Sequence, residues 1–266
     1  MQNDLLTLLG IAKSAAQAAA AVHARAIPGR IQAGLKDSPM NLVTEVDREA
    51  ERQLVSAISA ARPDDAIVGE EGAAVQGTSG VCWILDPLDG TTNFVHGYPA
   101  HSVAVGVEIE GQRVLGVVVD TYHRRIFSGI VGQGAHCDGE DIVVSGRADL
   151  AHALIGTGFL PIRAVRIVQA EVLRHILPKV RDLRRSGCPS LDLCAVAAGM
   201  LDGFYEAGLG RWDIAAGAAI AEAAGAKVVE LRSAILPHPL LVAANPTLMS
   251  ALVEALSEAG AVEEDL

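Results

Sequence analysis

Aromatic side chains and paired cysteines are scarce in this sequence, and each shortage excludes a class of protein. Phe, Trp and Tyr make up 3% of the 266 residues, and no basic stripe interleaved with aromatics is present. A nucleic-acid-binding surface is therefore not expected. The four cysteines show no CxxC spacing, which excludes the usual zinc and thiol redox motifs. We expect them to be free thiols in a reducing cytoplasm.

Basic residues and long apolar runs are also few. Lys and Arg number 21 against 32 Asp and Glu, a formal net charge of −11, which argues against binding to nucleic acid or to an anionic membrane. No uncharged apolar segment reaches the length of about 18 residues that a spanning helix needs. Asp4 and Lys13 interrupt the region where a secretory signal would have its apolar core. We expect a cytoplasmic protein in which metal ions supply the positive charge for any anionic substrate.

Half of the residues are hydrophobic and 20% are charged, which is typical of a globular protein. Alternating apolar and polar residues between positions 102 and 130 predict an antiparallel meander of strands. Beyond about residue 148, shorter strands alternate with helices, a pattern of layered α/β structure. We predict an N-terminal α+β part over residues 1–147 and a C-terminal α/β part over residues 148–266.

The most informative stretch begins with an apolar run, Val81–Leu85, which predicts a short buried strand. Asp86 and Asp89 follow in the turn, and Gly90 allows the chain to bend tightly. A short helix is expected from Thr91, with first-turn N–H groups that suit an anion. Two carboxylates beside such a helix start favour a metal-assisted phosphate site. A surface turn rich in Asp, Pro and Gly is the alternative interpretation.

Three further acidic positions fall at the ends of predicted elements. Thr44 followed by Asp47 predicts a capping box at the start of a helix, and Asp213 also falls in the first turn of a helix. Glu70 and Glu71 follow a short predicted strand, and we expect Glu70 to be the one that points inward. Helix caps and a solvated loop would explain each residue alone. Together with the central aspartates, they favour a shared site for a divalent cation, because hard cations prefer oxygen ligands.

Taken in order, four motifs resemble those of the inositol monophosphatase family, which consists of magnesium-dependent, lithium-sensitive phosphatases. The motifs are Asn41–Asp47, Gly69–Glu71, Asp86–Asn93 and Trp212–Gly217. The resemblance extends from Lys36 to Asn245. It implies a sugar-phosphatase-like layered sandwich of αβαβα architecture, hydrolysis of a small phosphate monoester, and a homodimer.

The resemblance also implies a role for each matching residue. A first Mg²⁺ would be bound by Glu70, Asp86 and the backbone carbonyl of Leu88. A second would be bound by Asp86, Asp89 and Asp213, and a weaker third ion would contact Glu70. The catalytic set is Thr91, which would position and deprotonate the attacking water, its partner Asp47, and Glu70. The implied substrate-binding residues are Asp89, Gly90, Thr91, Gly187, Cys188, Pro189, Glu206 and Asp213.

Inositol 1-phosphate, or a similar polyol phosphate, is the expected substrate, and Glu206 favours a polyol because a carboxylate suits neighbouring hydroxyls. Pro189 stands where the family more often has a small residue, which leaves the alcohol open. Histidinol phosphate, fructose 1,6-bisphosphate and a 3′-phosphonucleotide are alternatives on the same fold. A regulatory or binding protein is an alternative of another class. A local basic cluster predicts either a phosphate-attracting rim or a solvated or dimer-interface face; it consists of Arg181, Arg184 and Arg185.

Overall fold

A computed structural model describes residues 5–26, 33–35, 42–233 and 238–263. The family resemblance begins at Lys36, and its first six residues, 36–41, lie outside these ranges. Asn41 of the first motif is one of them. The helices are α1 (Leu5–Arg25), α2 (Glu45–Ala61), α3 (Thr91–His96), α4 (Arg163–Ile176), α5 (Pro189–Ala197), α6 (Arg211–Ala223) and α7 (Met249–Glu258).

Within the described ranges the strands fall into three sheets, the smallest of which is a two-stranded pair. The strands are β1 (Gly34–Leu35), β2 (Leu42–Val43), β3 (Ala66–Gly69), β4 (Ala74–Val75), β5 (Val81–Asp89), β6 (Ser102–Ile109), β7 (Gln112–Asp120), β8 (Arg125–Ile130), β9 (Gly134–Cys137), β10 (Glu140–Ile142), β11 (Leu154–Thr157), β12 (Asp182–Arg184), β13 (Gly203–Ala207), β14 (Lys227–Leu231) and β15 (Leu240–Ala244).

The first sheet has eight strands in the order β10-β9-β8-β7-β6-β5-β3-β4. The predicted antiparallel meander is confirmed for β6, β7 and β8. One pair differs from that pattern, because β3 runs parallel to β5, with Gly69 beside Leu85. Parallel strands end at the same edge of a sheet, so this pairing brings Glu70 next to Asp86.

Strand β5 is longer than the sequence predicts. Its expected end is Leu85, whereas its pairing with β6 continues through Asp86 and resumes at Asp89 with a shift of register between them. Pro87 lies within the shift and has no N–H to donate to the neighbouring strand. The irregularity therefore separates two carboxylates that both belong to the strand.

The second sheet has five strands in the order β12-β11-β13-β15-β14. Strand β11 is parallel to both of its neighbours, and β15 is antiparallel to both of its own. The first sheet ends at Ile142 and the second begins at Leu154. The predicted division of the chain into an N-terminal part, 1–147, and a C-terminal part, 148–266, stays a prediction.

Five layers result from the way helices cover these two sheets. Helices α1 and α2 cover one face of the first sheet, where Leu8 and Leu54 share a core with Trp83. Helices α5 and α6 contact both sheets and lie between them. Helices α4 and α7 cover the outer face of the second sheet. The predicted layered αβαβα architecture is confirmed.

Helix α6 approaches the first sheet closely because its contact residues are small. Gly116 of β7 faces α6, and an added Cβ at that position would lie 2.1 Å from the carbonyl oxygen of Ala216. Gly106 of β6 would meet Ala215 in the same way, at 2.6 Å. The absence of these side chains lets the start of α6, and with it Asp213, lie beside β5.

Among the described residues, one helix is long and apolar enough to cross a membrane by length and composition, and it is α1. The core helix of a soluble protein meets the same criteria. Its stretch includes Lys13, and one of its faces is buried in the core that α2 and the first sheet share. In this structure α1 therefore forms, together with α2, one of the two outer layers of the fold.

Candidate metal centre and active site

Three aspartates from two distant parts of the chain meet at the edge of the first sheet. Asp86 and Asp89 lie on either side of the β5 irregularity, and Asp213 lies in the first turn of α6. One carboxylate oxygen of each lies within 4.8 Å of those of the other two. Glu70, at the end of β3, is near enough for its charge to raise the pKa of both Asp86 and Asp89. The structure thus brings the four predicted acidic ligands together.

Asp86 carries the strongest indication of a missing positive charge. Its Oδ1 accepts a hydrogen bond from the Leu88 N–H at 3.1 Å, while its Oδ2 is buried and accepts no hydrogen bond from any described residue. Burial, followed by the charges of Glu70, Asp89 and Asp213, raises the pKa of Asp86 well above its usual range. Buried carboxylates without partners are costly. A divalent cation fits this set, because all of its donors are oxygens.

Asp89 is held by the start of α5. Its Oδ2 receives the Ser190 N–H at 2.8 Å and the Ser190 hydroxyl at 2.5 Å, together with the Cys188 thiol at 3.1 Å. Burial is the main reason why the pKa of Asp89 rises to about 6, and the hydrogen bonds oppose that rise. Because all three donors reach Oδ2, they leave Oδ1 to face other partners. Ser190 was not predicted, since nothing in the sequence links it to a carboxylate 101 positions away.

Asp47 and Thr91 are in contact beside this cluster. The predicted capping box is present: Asp47 Oδ2 accepts from the N–H of Thr44 at 2.8 Å and from its hydroxyl at 2.5 Å. Its Oδ1 accepts from the Thr91 hydroxyl at 3.0 Å. The same hydroxyl also lies 3.0 Å from the carbonyl oxygen of Leu88, so its single proton serves two acceptors. Burial raises the pKa of Asp47, which makes it a better proton acceptor.

The start of α3 is open to the site. Gly90 has a φ of 85°, which is the left-handed region that glycine tolerates best. A Cβ there would also lie 2.7 Å from the Ala100 carbonyl oxygen. Gly90 has no side chain to cap the helix. The N–H groups of the first turn, which begins at Thr91, therefore receive no side-chain hydrogen bond from this position.

The loop before α5 is tied to α3 by Asn93. The Asn93 amide donates to the carbonyl oxygens of Ala100 at 2.7 Å and Ser186 at 2.9 Å. This places Gly187 beside Asn93 and Cys188 beside Asp89. Cys188 is buried, which raises the pKa of its thiol well above the usual value, and the thiol therefore acts as a neutral donor. The remaining predicted residue of this loop, Pro189, is the first residue of α5.

Glu206 approaches the site from the second sheet. It lies in β13 and is buried, and its carboxylate occupies the space over Gly158, where an added Cβ would be 2.0 Å from Glu206 Oε2. Burial, followed by the charges of Asp192 and Asp213, raises its pKa well above the usual value. Asp192, which the sequence did not indicate, has a pKa raised to about 7, mainly by burial. Two more buried carboxyl groups, Glu206 and Asp192, thus lie near the aspartate cluster.

The three arginines of the basic cluster separate in the structure. Arg181 donates to the carbonyl oxygen of His152, and Arg184 pairs with Asp182. Arg185 lies over Gly187, and its charge opposes the rise in the pKa of both Asp192 and Glu206. Of the three, Arg185 therefore faces the candidate site.

A small cavity borders Glu206 on the face of the second sheet that α4 and α7 cover. Thr157, Gln169 and Tyr205 are among its lining residues, and its volume is about 20 Å³. Such a volume is close to what one water molecule needs and excludes a sugar phosphate.

Comparison with known families agrees with this geometry. The family model described as the inositol monophosphatase family matches residues 4–261, which is most of the chain. The chain belongs to the inositol monophosphatase family. The resemblance inferred from four motifs is thereby confirmed. Members of the family depend on metal in general, in keeping with the buried acidic cluster.

Similar proteins support the same assignment. Inositol-1-monophosphatase SuhB of Mycobacterium tuberculosis is 41% identical, over 98% of this chain and 97% of that protein. A protein of Pseudomonas aeruginosa named Nus factor SuhB is 38% identical, over 92% and 94%. The crystal structure of extragenic suppressor protein SuhB from Bartonella henselae has a TM-score of 0.88 at 32% identity, over 95% of this chain and 99% of that one. The protein is a phosphoric monoester hydrolase of this family.

Proposed function

We propose that the protein hydrolyses inositol 1-phosphate, or a closely similar polyol phosphate, in a Mg²⁺-dependent reaction. The observation that carries the proposal is the convergence of Asp86, Asp89 and Asp213 around a buried carboxylate oxygen without a hydrogen-bond partner among the described residues. The name of the M. tuberculosis relative supports the choice of substrate. Glu206 adds a buried carboxylate that can accept hydrogen bonds from substrate hydroxyls.

Two Mg²⁺ ions, and a weaker third, are proposed for the acidic cluster. Glu70, Asp86 and the Leu88 carbonyl would hold the first, while Asp86, Asp89 and Asp213 would hold the second. Glu70 would also contact the third. When bound, such ions neutralise phosphoryl charge and lower the pKa of a bound water. The role of the carboxylates is to hold that charge in a fixed place, which the hydrogen bonds to Asp89 Oδ2 and Asp86 Oδ1 support.

Thr91 and Asp47 are proposed to orient and deprotonate the attacking water. The Thr91 hydroxyl donates to Asp47 at 3.0 Å, so its oxygen can accept a proton from water on its other side. Asp47 cannot turn away, because Thr44 holds its second oxygen with two hydrogen bonds. Its raised pKa suits proton acceptance. We also propose Glu70 as a contributor to this step because of its place beside Asp86.

Phosphate and alcohol would be held on opposite sides of the cluster. The N–H groups of Gly90 and Thr91 are proposed to receive the phosphate, since the start of α3 lacks a side-chain cap. Asp89, Asp213, Glu206 and the Gly187-Cys188-Pro189 loop would line the alcohol side. Pro189 replaces the smaller residue more usual in the family, so histidinol phosphate, fructose 1,6-bisphosphate and a 3′-phosphonucleotide remain substrates to be compared.

A substrate panel tests the proposal. Phosphate release from each of these compounds and from inositol 1-phosphate is measured at saturating Mg²⁺ and again with EDTA. We expect the highest kcat/KM for inositol 1-phosphate and no turnover with EDTA. A higher kcat/KM for another compound would reassign the substrate within the family. Turnover that survives EDTA would contradict the role of the acidic cluster.

A second candidate role comes from the relative named Nus factor SuhB. We carry that regulatory role to this chain only as an alternative, because its net charge of −11 disfavours direct binding to nucleic acid. An Asp89→Asn variant in cells separates the two roles. If cells with the hydrolytically inactive variant behave like wild type, the essential role is not hydrolysis. If they behave like a deletion, hydrolysis is the function.

We further propose a cytoplasmic homodimer. The four cysteines are free in the structure, which suits a reducing compartment, and the family resemblance suggests two subunits. Light scattering of the purified protein would give the mass of the assembly, and the 27.6 kDa chain predicts twice that value for a dimer.

A further inference from the structure

Helix α2 contributes a second buried carboxylate besides Asp47. Glu51 lies one turn later on the same face of the helix and is buried. Its Oε2 accepts the Glu71 N–H at 2.9 Å, and its Oε1 accepts the Ala73 N–H at 3.1 Å. Both donors belong to the loop that follows β3. The sequence gives no indication of a role for Glu51, because acidic residues in the middle of a helix are usually solvated.

The loop is shaped to admit this carboxylate. An added Cβ at Gly69 would lie 2.1 Å from Glu51 Oε2 and 2.8 Å from its carboxyl carbon. Only a residue without a side chain leaves that space free. The loop is closed on itself by the Gly69 N–H, which donates to the Ala73 carbonyl oxygen at 2.8 Å. Three independent features, namely two hydrogen bonds and the missing Cβ, therefore converge on Glu51.

Glu70 lies between Gly69, whose missing Cβ makes room for the Glu51 carboxylate, and Glu71, whose N–H donates to that carboxylate. Its own N–H donates to the Leu85 carbonyl oxygen at 3.1 Å, so one side of Glu70 is fixed by β5 and the other by the part of the loop that Glu51 holds. A backbone fixed on both sides restricts where the Glu70 carboxylate can point. In this structure it points towards Asp86.

We propose that Glu51 is a positioning residue, which holds the loop of residues 69–73 so that Glu70 faces the cation site. This inference rests on the proposed metal-dependent function. Helix α2 would then serve both halves of the reaction, with Asp47 holding Thr91 and Glu51 holding the loop of Glu70. Partners that orient metal ligands typically contribute 10–100-fold to metal affinity or activity.

The test compares Glu51→Gln with Glu49→Gln on the same helix. Glu49 is a matched control, because among the described residues its carboxylate accepts hydrogen bonds only from the exposed side chains of Arg52 and Gln53. In Glu51→Gln, an amide N–H would face a backbone N–H, so one anchoring bond is lost. We expect the Mg²⁺ concentration for half-maximal activity to rise about 10-fold, with kcat at saturating Mg²⁺ within about threefold of wild type. Glu49→Gln should leave both values unchanged.

A second pair of variants tests the same contact from the loop side. Gly69→Ala should displace the Glu51 carboxylate and raise the Mg²⁺ requirement in the same way. In a Glu51→Ala background the added methyl no longer meets the carboxylate and keeps only a 3.0 Å approach to Ala73 Cβ, so Gly69→Ala should then cost much less than in the wild type. This non-additivity is expected only if the two positions act through one contact. Glu51→Asp keeps the buried charge with a shorter reach, and it replaces Glu51→Gln if that variant does not fold.

A readout that does not need turnover accompanies these assays. The melting temperature is measured without metal and with increasing Mg²⁺, and the midpoint of the Mg²⁺-induced rise reports binding. The proposal requires that midpoint to move to higher Mg²⁺ in Glu51→Gln. It is overturned if the variant melts earlier without metal but keeps the wild-type midpoint and Mg²⁺ requirement, because Glu51 would then only stabilise the loop. Failure of the wild type to hydrolyse any panel compound would instead refute the proposed function.

Discussion

The starts of helices α2 and α6 have the same local structure and different surroundings. In each, an aspartate at the third helical position accepts the N–H of the residue before the helix: Asp47 from Thr44 at 2.8 Å and Asp213 from Gly210 at 2.6 Å. Thr44 adds a hydroxyl to this exchange, whereas Gly210 has no side chain to contribute. The local motif therefore orients both carboxylates towards the helix start without giving either one a chemical role.

The difference lies in what each aspartate meets across the fold. The free oxygen of Asp47 meets the Thr91 hydroxyl, which is a proton donor. Asp213 meets the carboxylates of Asp86 and Asp89, which are acceptors. A carboxylate facing a donor can take part in proton transfer, while carboxylates facing one another are stabilised by a bound cation or by protonation. One capping motif thus presents its carboxylate to two kinds of neighbour, a donor at the start of α2 and other carboxylates at the start of α6.

The largest expected effect comes from replacing the aspartate that faces other carboxylates. Asp213→Asn keeps an oxygen for the Gly210 N–H but removes one charge from the cluster, so kcat/KM should fall about 10³-fold, equivalent to the several kcal/mol that a metal contributes. The melting temperature without metal should stay the same or rise, because repulsion among the carboxylates decreases. Steady-state kinetics and thermal melts in EDTA measure both. A lower melting temperature together with full activity would contradict the assignment.

Asp47→Asn should have a smaller effect of a different kind. The amide can no longer take up a proton, so kcat should fall about 10²-fold, a typical contribution of a general base. The Mg²⁺ requirement should stay within about twofold of wild type, because Asp47 lies outside the proposed ligand set. If the two variants shifted the Mg²⁺ requirement equally, the two helix starts would not differ in role.

The pH dependence of the free energy of unfolding should also distinguish the carboxylate cluster, to which Asp213 belongs, from Asp47. The pKa values of about 6 for Asp89 and about 7 for Asp192 lie above the values of these groups in an unfolded chain. Between the unfolded and folded pKa values the folded state holds more protons, so the free energy of unfolding of the metal-free protein decreases as pH rises from about 4 to above 7. Mg²⁺ needs ionised ligands, so its stabilising effect should grow over the same range.

Thermal melts from pH 5 to 8, in EDTA and in Mg²⁺, measure this dependence. Asp213→Asn should flatten the metal-free profile, because its charge contributes to the raised pKa of Asp86. Asp47→Asn, which lies outside the carboxylate cluster, serves as the comparison and should change the profile less. A metal-free protein that became more stable with rising pH would show that the cluster is already compensated.

The smallest expected effect concerns the cap itself. Thr44→Ala removes the hydroxyl that donates to Asp47 and accepts the Val46 N–H at 3.1 Å, so the free energy of unfolding should fall by about 1 kcal/mol. The activity should fall only a fewfold, because the Thr44 backbone N–H still holds Asp47. Thr44→Ser keeps the hydroxyl and should restore both values. Chemical denaturation and kcat measurements compare the three proteins.

Local patterns predicted most of the helices and strands. They also predicted one of the two helix-start hydrogen bonds compared above, the one between Thr44 and Asp47. The capping pattern at Thr44 and Asp47 predicted the start of α2, and the apolar run before Asp86 predicted the core of β5. The pattern could not show that β5 continues through Pro87 to Asp89, since the pairing that extends it comes from β6. Ser190 and Glu51 were missed for the same reason, because their partners are backbone and carboxylate groups far away in the sequence.

The sequence by itself determined the order of the motifs, the helix caps and the family to which they belong, because these depend on residue types at short spacings. Only the tertiary structure decided that β3 runs parallel to β5, that small residues let α6 approach the first sheet, and that Asp86 is left with a buried oxygen lacking a partner among the described residues. Those outcomes depend on burial and on distances between remote segments. A carboxylate becomes a candidate metal ligand or a proton acceptor through the groups it meets in space, and its neighbours along the chain do not specify them.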